Sequence, residues 1–155
     1  MHFFQFIGRM IGKAISEKQY MECFFAKPLY KLMLGEDLVF EDFEDMDKGQ
    51  FNSFVYILNE ENVEEEELDF SIVKYFAGAK KEIELIEGGK GVNVTSENKK
   101  DYIEKLSFFE MYGQVKQQTQ YFLKGFFEMV PRELISIFNY RELELLIAGL
   151  PDFDI

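Results

Sequence analysis

Val92-Asn93-Val94-Thr95-Ser96-Glu97-Asn98-Lys99-Lys100-Asp101-Tyr102 decides how this chain folds. Val92 and Val94 alternate with Asn93 as in a short strand. Thr95 or Ser96 suits the cap of a helix, and Tyr102, Ile103 and Leu106 recur on one helical face beyond it. Immediately upstream, Gly88-Gly89-Lys90-Gly91 reads as the turn linking that strand to another carrying Ile83 and Leu85. The glycines lack the complete phosphate-loop pattern and lead into a strand, so a nucleotide cradle is the weaker reading. Leu68, Phe70 and Ile72 alternate in a third strand. A β-hairpin arm thus runs into a capped helix.

Outward from this stretch the pattern turns helical. Downstream, Val115, Gln118, Phe122 and Phe126 lie on one face. Pro131 opens a further helix with Leu134, Ile137 and Phe138 inward, and Asn139 with Glu142 forms a capping-box start for a last helix that Gly149 ends. Upstream, Asp47 suits the cap of a helix holding Phe51, Phe54, Val55 and Leu58. Pro28 opens a helix ending at Gly35, and another helix is expected over about Glu17–Phe25. In the first helix, Phe3, Ile7, Met10 and Ala14, with Phe4, Ile11 and Ile15, make a broad apolar face. Gly8 and Gly12 lie one turn apart within it. Each costs up to ~1 kcal/mol relative to Ala in a helix, which predicts close approach by another element. The fold class is α+β, with a larger helical body over 1–46 and 113–155 and a small inserted α+β subdomain over 47–112.

Composition narrows the function. The 155 residues include 18 Phe and 8 Tyr, no Trp, and 47% apolar side chains, enough for an aromatic-rich core. The formal charge is −12, from 29 acidic and 17 basic residues. That field repels phosphate backbones and anionic lipid heads and favours a partner with a basic face. Six of the eight residues from Glu60 to Glu67 are Glu, which reads as a solvated loop; apart from Asn62, the interleaved Asp, Asn and Gly of a calcium loop are missing. Cys23 is the sole cysteine and His2 the sole histidine, so neither a Cys-His pair nor a thiolate metal cluster is expected. Cys23 reads as a small buried hydrophobe on a helix. No secretory leader or ~18-residue apolar span is evident, and an intracellular, soluble chain without cofactor is expected.

Phe6-Ile7-Gly8-Arg9-Met10-Ile11-Gly12-Lys13-Ala14, Phe25-Ala26-Lys27-Pro28-Leu29-Tyr30-Lys31, the Gly88 to Tyr102 motif, Gly125-Phe126, and Glu142 to Gly149 occur in that order. Together they resemble the N-lobe of HECT-type ubiquitin ligases, and Leu150 to Ile155 is similar to its continuation. The resemblance implies an N-lobe piece of a longer domain, whose catalytic cysteine lies in a later C-lobe. It further implies that a ubiquitin-loaded conjugating enzyme docks on the subdomain over 47–112. In that family's pattern Tyr102 matches the aromatic residue lining the docking groove, and Phe54, Ile57 and Leu68 match other groove positions. Ubiquitin is an implied partner, and the substrate protein is expected to bind through regions outside this chain. The acidic run is suited to steering a basic partner face. Two other readings remain open on sequence: a non-catalytic adaptor with an N-lobe-like fold, and an unrelated acidic interaction domain.

Overall fold

The computed structural model describes residues 2–149. Its Cα packing divides the chain into two compact units, one drawn from residues 1–38 and 112–155 and the other from 39–111. Both are rich in helix, and the only sheet among the described residues has two strands.

The first unit contains α1 (His2–Ser16), α2 (Lys27–Leu34), α5 (Lys116–Phe127), α6 (Arg132–Ile135) and α7 (Tyr140–Ala148). Its core gathers Ile11, Tyr30, Met33, Phe122, Phe126, Ile135, Leu143 and Ile147. The glycines of α1 have the role their spacing predicted. A Cβ on Gly8 would collide with the Phe122 carbonyl oxygen, and one on Gly125 with that of Gln5. A Cβ on Gly12 would lie 2.9 Å from the Phe126 carbonyl oxygen. The backbones of α1 and α5 therefore meet with no side chain between them, leaving Phe3 and Met10 on the exposed side. Asn139 accepts from the amides of Arg141 and Glu142 while Glu142 receives the Asn139 amide, completing the expected capping box.

Two helical expectations fail here. Residues 17–26 are extended or turn rather than helix. Lys18 takes φ +53° at the end of α1, and the Met21 amide then donates to the Ile147 carbonyl at 2.8 Å. Met21, Cys23 and Phe25 are half-buried while Glu22 and Phe24 are exposed, a period of two that belongs to extended chain. Cys23 consequently lies off any helix, with burial pushing its thiol pKa up. In α6, Ile135 is buried, whereas Leu134 is 63% exposed, and Ile137, just beyond the helix, is 77% exposed. A single helical turn is too short to set the longer face that their spacing suggested.

The second unit holds α3 (Lys48–Asn59), β1 (Ser71–Phe76), β2 (Ala79–Glu84) and α4 (Lys99–Met111), with 3-10 turns at Phe40–Phe43, Val63–Glu66 and Gly89–Gly91. Asp47 caps α3 by accepting the Gln50 amide at 2.9 Å. The hairpin is one connection earlier than the glycine-rich stretch suggested. β1 and β2 pair antiparallel, Ile72 opposite Ile83 and Phe76 opposite Ala79. The loop between them is Ala77-Gly78, both at positive φ, as a two-residue hairpin turn demands. Gly88-Gly89-Lys90-Gly91 forms a 3-10 turn instead, and the Val92–Val94 segment pairs within its own unit through an isolated bridge, Asp69 to Asn93, with the Val94 amide donating to the Leu68 carbonyl. Gly89 is required there because a Cβ would strike the Phe70 carbonyl.

Candidate partner-docking site

The four residues singled out for docking all lie in the second unit. Phe54, on α3, is 4% exposed; its ring stacks on Phe43 with centroids 5.2 Å apart. Tyr102, on α4, is also 4% exposed and meets Phe70 edge-on at 5.3 Å. Ile57, one turn beyond Phe54, and Leu68, before β1, are half-buried. The structure thus makes Phe54 and Tyr102 members of the packed interior and leaves Ile57 and Leu68 with accessible surface. Burial, reinforced by the negative field of Asp69, pushes the Tyr102 hydroxyl pKa up, so this phenol stays neutral at physiological pH.

Side chains tie the two helices at opposite ends. At the close of α3, Glu60 is the C-cap residue, and its carbonyl accepts the Lys99 ammonium at 2.6 Å. Lys99 is the first residue of α4. At the other end, Gln50 in the first turn of α3 donates to Glu110 near the end of α4 at 3.5 Å, and Lys74 of β1 pairs with Glu110 at 2.5 Å. The helices therefore run antiparallel, with a polar contact at each end.

The acidic stretch is built into this arrangement more firmly than a solvated loop would be. Val63 is 0% exposed and anchors the 3-10 turn. Ser96, three residues before α4, does not cap that helix: its amide donates to Glu64 at 2.8 Å and its hydroxyl to the Glu61 carbonyl at 3.0 Å. Asn98, immediately before α4, accepts the Thr95 amide and donates to the Asn93 carbonyl. The Ser96 amide holds Glu64 below its ordinary carboxylate range, and the Asn62 amide together with Tyr56 does so for Glu60. These carboxylates stay charged, presenting an acidic rim.

Sequence spacing alone did not reveal Lys99, Ser96 or Gln50, because their partners lie 39, 32 and 60 residues away. Exposed aromatic surface is likewise on residues not singled out: Tyr56 and Tyr75 are 55% and 72% exposed. The strand pattern offered one clue, since Val73 and Tyr75 alternate with Lys74, whose side chain turns to α4. Among the described residues, no group of three or more His, Cys, Asp or Glu is placed to hold a metal ion. No described helix is long and apolar enough to cross a membrane. This unit thus holds buried Phe54 and Tyr102, half-buried Ile57 and Leu68, and the charged carboxylates of Glu60 and Glu64.

A family model described as HECT-domain (ubiquitin-transferase) matches residues 1–155. The chain is 42% identical over 155 residues to the probable E3 ubiquitin-protein ligase TOM1 of Eremothecium gossypii, and 41% over 155 residues to the E3 ubiquitin-protein ligase TOM1 of Saccharomyces cerevisiae. It is 37% identical over 156 residues to the E3 ubiquitin-protein ligase HUWE1 of Mus musculus. Each match takes in 100% of this chain but only 5%, 5% and 4% of the respective relatives.

Proposed function

We propose that this chain, which belongs to the HECT-domain (ubiquitin-transferase) family, acts as the N-lobe part of a HECT ubiquitin ligase and recruits a ubiquitin-loaded conjugating enzyme through the subdomain over residues 47–112. The observation that carries this reading is the pairing of α3 with α4: Phe54 and Tyr102 are buried, packed on Phe43 and Phe70, while Ile57 and Leu68, which flank the acidic turn in sequence, keep accessible surface. Such a surface suits a partner that brings apolar anchors on a basic face.

In the whole reaction, the conjugating enzyme carries ubiquitin as a thioester. A C-lobe cysteine thiolate attacks that carbonyl carbon, the conjugating enzyme's thiolate leaves, and the new thioester is passed to a substrate lysine amine as an amide. Each step exchanges one acyl bond for another with a good leaving group. Cys23 does not fit the nucleophile: it is half-buried, its thiol pKa is raised, and His2 sits at the start of α1 rather than beside it. Residues 1–155 thus contribute docking and orientation, with substrate contacts in other regions and an intracellular location.

The test is binding of this chain to a panel of uncharged ubiquitin-conjugating enzymes, wild type beside Ile57→Asp and Leu68→Asp. These half-buried positions perturb the interior less than Tyr102→Ala, which removes a ring from it. The reading expects selective binding by the wild type and a loss of about 1–2 kcal/mol or more in each variant. No binding to any member by folded protein would overturn it in favour of an acidic interaction domain.

A further inference from the structure

Lys99 bridges two chain segments that sequence separates by 39 positions. Its backbone begins α4, and its ammonium lies 2.6 Å from the carbonyl of Glu60, the residue that ends α3. A cation at that end also faces the negative pole of the α3 dipole. Beside it, Ser96 fastens the acidic turn to the same approach to α4 through Glu64 and the Glu61 carbonyl. The opposite end of the helix pair is held by Gln50 and Glu110. Ile57 lies on the last turn of α3, within three residues of the Lys99 contact, and Tyr102 lies three residues beyond Lys99 on α4.

We infer that Lys99 is a positioning residue for the conjugating enzyme: its bond to Glu60 sets the spacing of α3 and α4, and through it the shape of the apolar surface around Ile57. This inference rests on the docking function proposed above. Lys99 acts without touching the partner. The ammonium is turned back onto its own chain, so what it supplies is the fixed separation of two helix ends. Ser96 acts on the same approach, holding the acidic turn against the start of α4.

The experiment measures affinity of the 155-residue chain for whichever uncharged conjugating enzyme the wild type binds best, across a salt series, for Lys99→Met, Lys99→Arg and Ser96→Ala. Thermal unfolding of each variant is followed alongside, so that affinities are compared where every sample is folded. Lys99→Met keeps the length of the side chain and removes its donor; it is expected to weaken binding by about tenfold. Lys99→Arg still reaches the carbonyl and is expected to recover most of that loss, while Ser96→Ala gives a smaller drop. The salt dependence should be the same in all four proteins, because a positioning residue contributes no charge to the interface. In an Ile57→Ala background the effect of Lys99→Met should shrink, since both changes act on one surface.

Three results would overturn the inference while leaving the docking function intact: wild-type affinity in Lys99→Met, a flatter salt dependence in Lys99→Met that marks direct contact, or full additivity with Ile57→Ala. If the wild type itself binds no conjugating enzyme, the docking function fails first and the inference with it.

Discussion

The two units fasten their principal helix pairs by opposite means. In the first, α1 and α5 meet backbone to backbone because Gly8, Gly12 and Gly125 remove the intervening side chains. In the second, α3 and α4 are fastened at their ends by Lys99 on the Glu60 carbonyl and by Gln50 on Glu110. A glycine contact has no slack, since any added carbon meets a carbonyl oxygen. A contact set by long side chains holds through its donors and acceptors and is lost when one of them is removed. The first arrangement suits a scaffold, and the second suits a surface whose fit to a partner can be tuned.

The largest effect should come from breaking the glycine contact. Gly125→Val places three added carbons, Cβ and two methyls, against the Gln5 backbone and is expected to cost about 3 kcal/mol or more, seen as a collapse of the unfolding transition in urea. Gly49→Ala sharpens the point. That glycine, in the first turn of α3, has only an Asp47 carboxylate oxygen 3.4 Å from an added Cβ, so the change should stabilise by up to about 1 kcal/mol. Equal effects at the two sites would remove the distinction between a glycine that is needed for close approach and one that is not.

Next in size is the cap of α7. Asn139→Ala removes the side chain that accepts the Arg141 and Glu142 amides and should cost about 1 kcal/mol by chemical denaturation.

Smallest, and most informative about the two fastenings, is the response to acid. Glu128 in the first unit is held below the usual carboxylate range mainly by the Arg9 guanidinium, with Gln5 helping. Glu64 in the second is held below the usual carboxylate range mainly by the Ser96 amide. A carboxylate whose folded pKa lies below its unfolded pKa adds stability that is present above the unfolded value. That stability is lost as pH falls through the folded one. Both groups therefore steepen the loss of stability as pH falls through the carboxylate range, and Glu128→Gln or Glu64→Gln should flatten it in unfolding curves taken from neutral into acid pH. Added salt should blunt the Glu128 contribution more, because its main partner is a charged, exposed side chain.

Local grammar carried much of the fold. Pro28 and Gly35 bracket α2, Asp47 caps α3, and Asn139 with Glu142 starts α7, each because the signal and its partner lie within one turn. The close approach at Gly8 and Gly12 was legible too, since glycine inside an apolar helix has few other physical reasons. Where tertiary contact decided, sequence spacing misled. Residues 17–26 had apolar content to spare for a helix, but the bond from Met21 to Ile147 draws the segment out straight. Gly88 to Gly91 had hairpin composition, but Ala77-Gly78 took the hairpin, and Gly89 is there to let the Phe70 backbone approach. At the candidate site, the motif named Phe54, Ile57, Leu68 and Tyr102, but it carried no sign that Phe54 and Tyr102 would be buried in the interior. The polar ties of Lys99 and Ser96 could not, because a donor's distant acceptor leaves no periodic trace.

The most direct test of the account is to titrate the isotopically labelled chain with an uncharged ubiquitin-conjugating enzyme and follow its amide resonances. The account predicts shifts concentrated around Ile57, Leu68 and the first turns of α4, with the α1 and α5 resonances unmoved. Shifts confined to residues of the first unit, or none with any conjugating enzyme at saturating concentration, would contradict it.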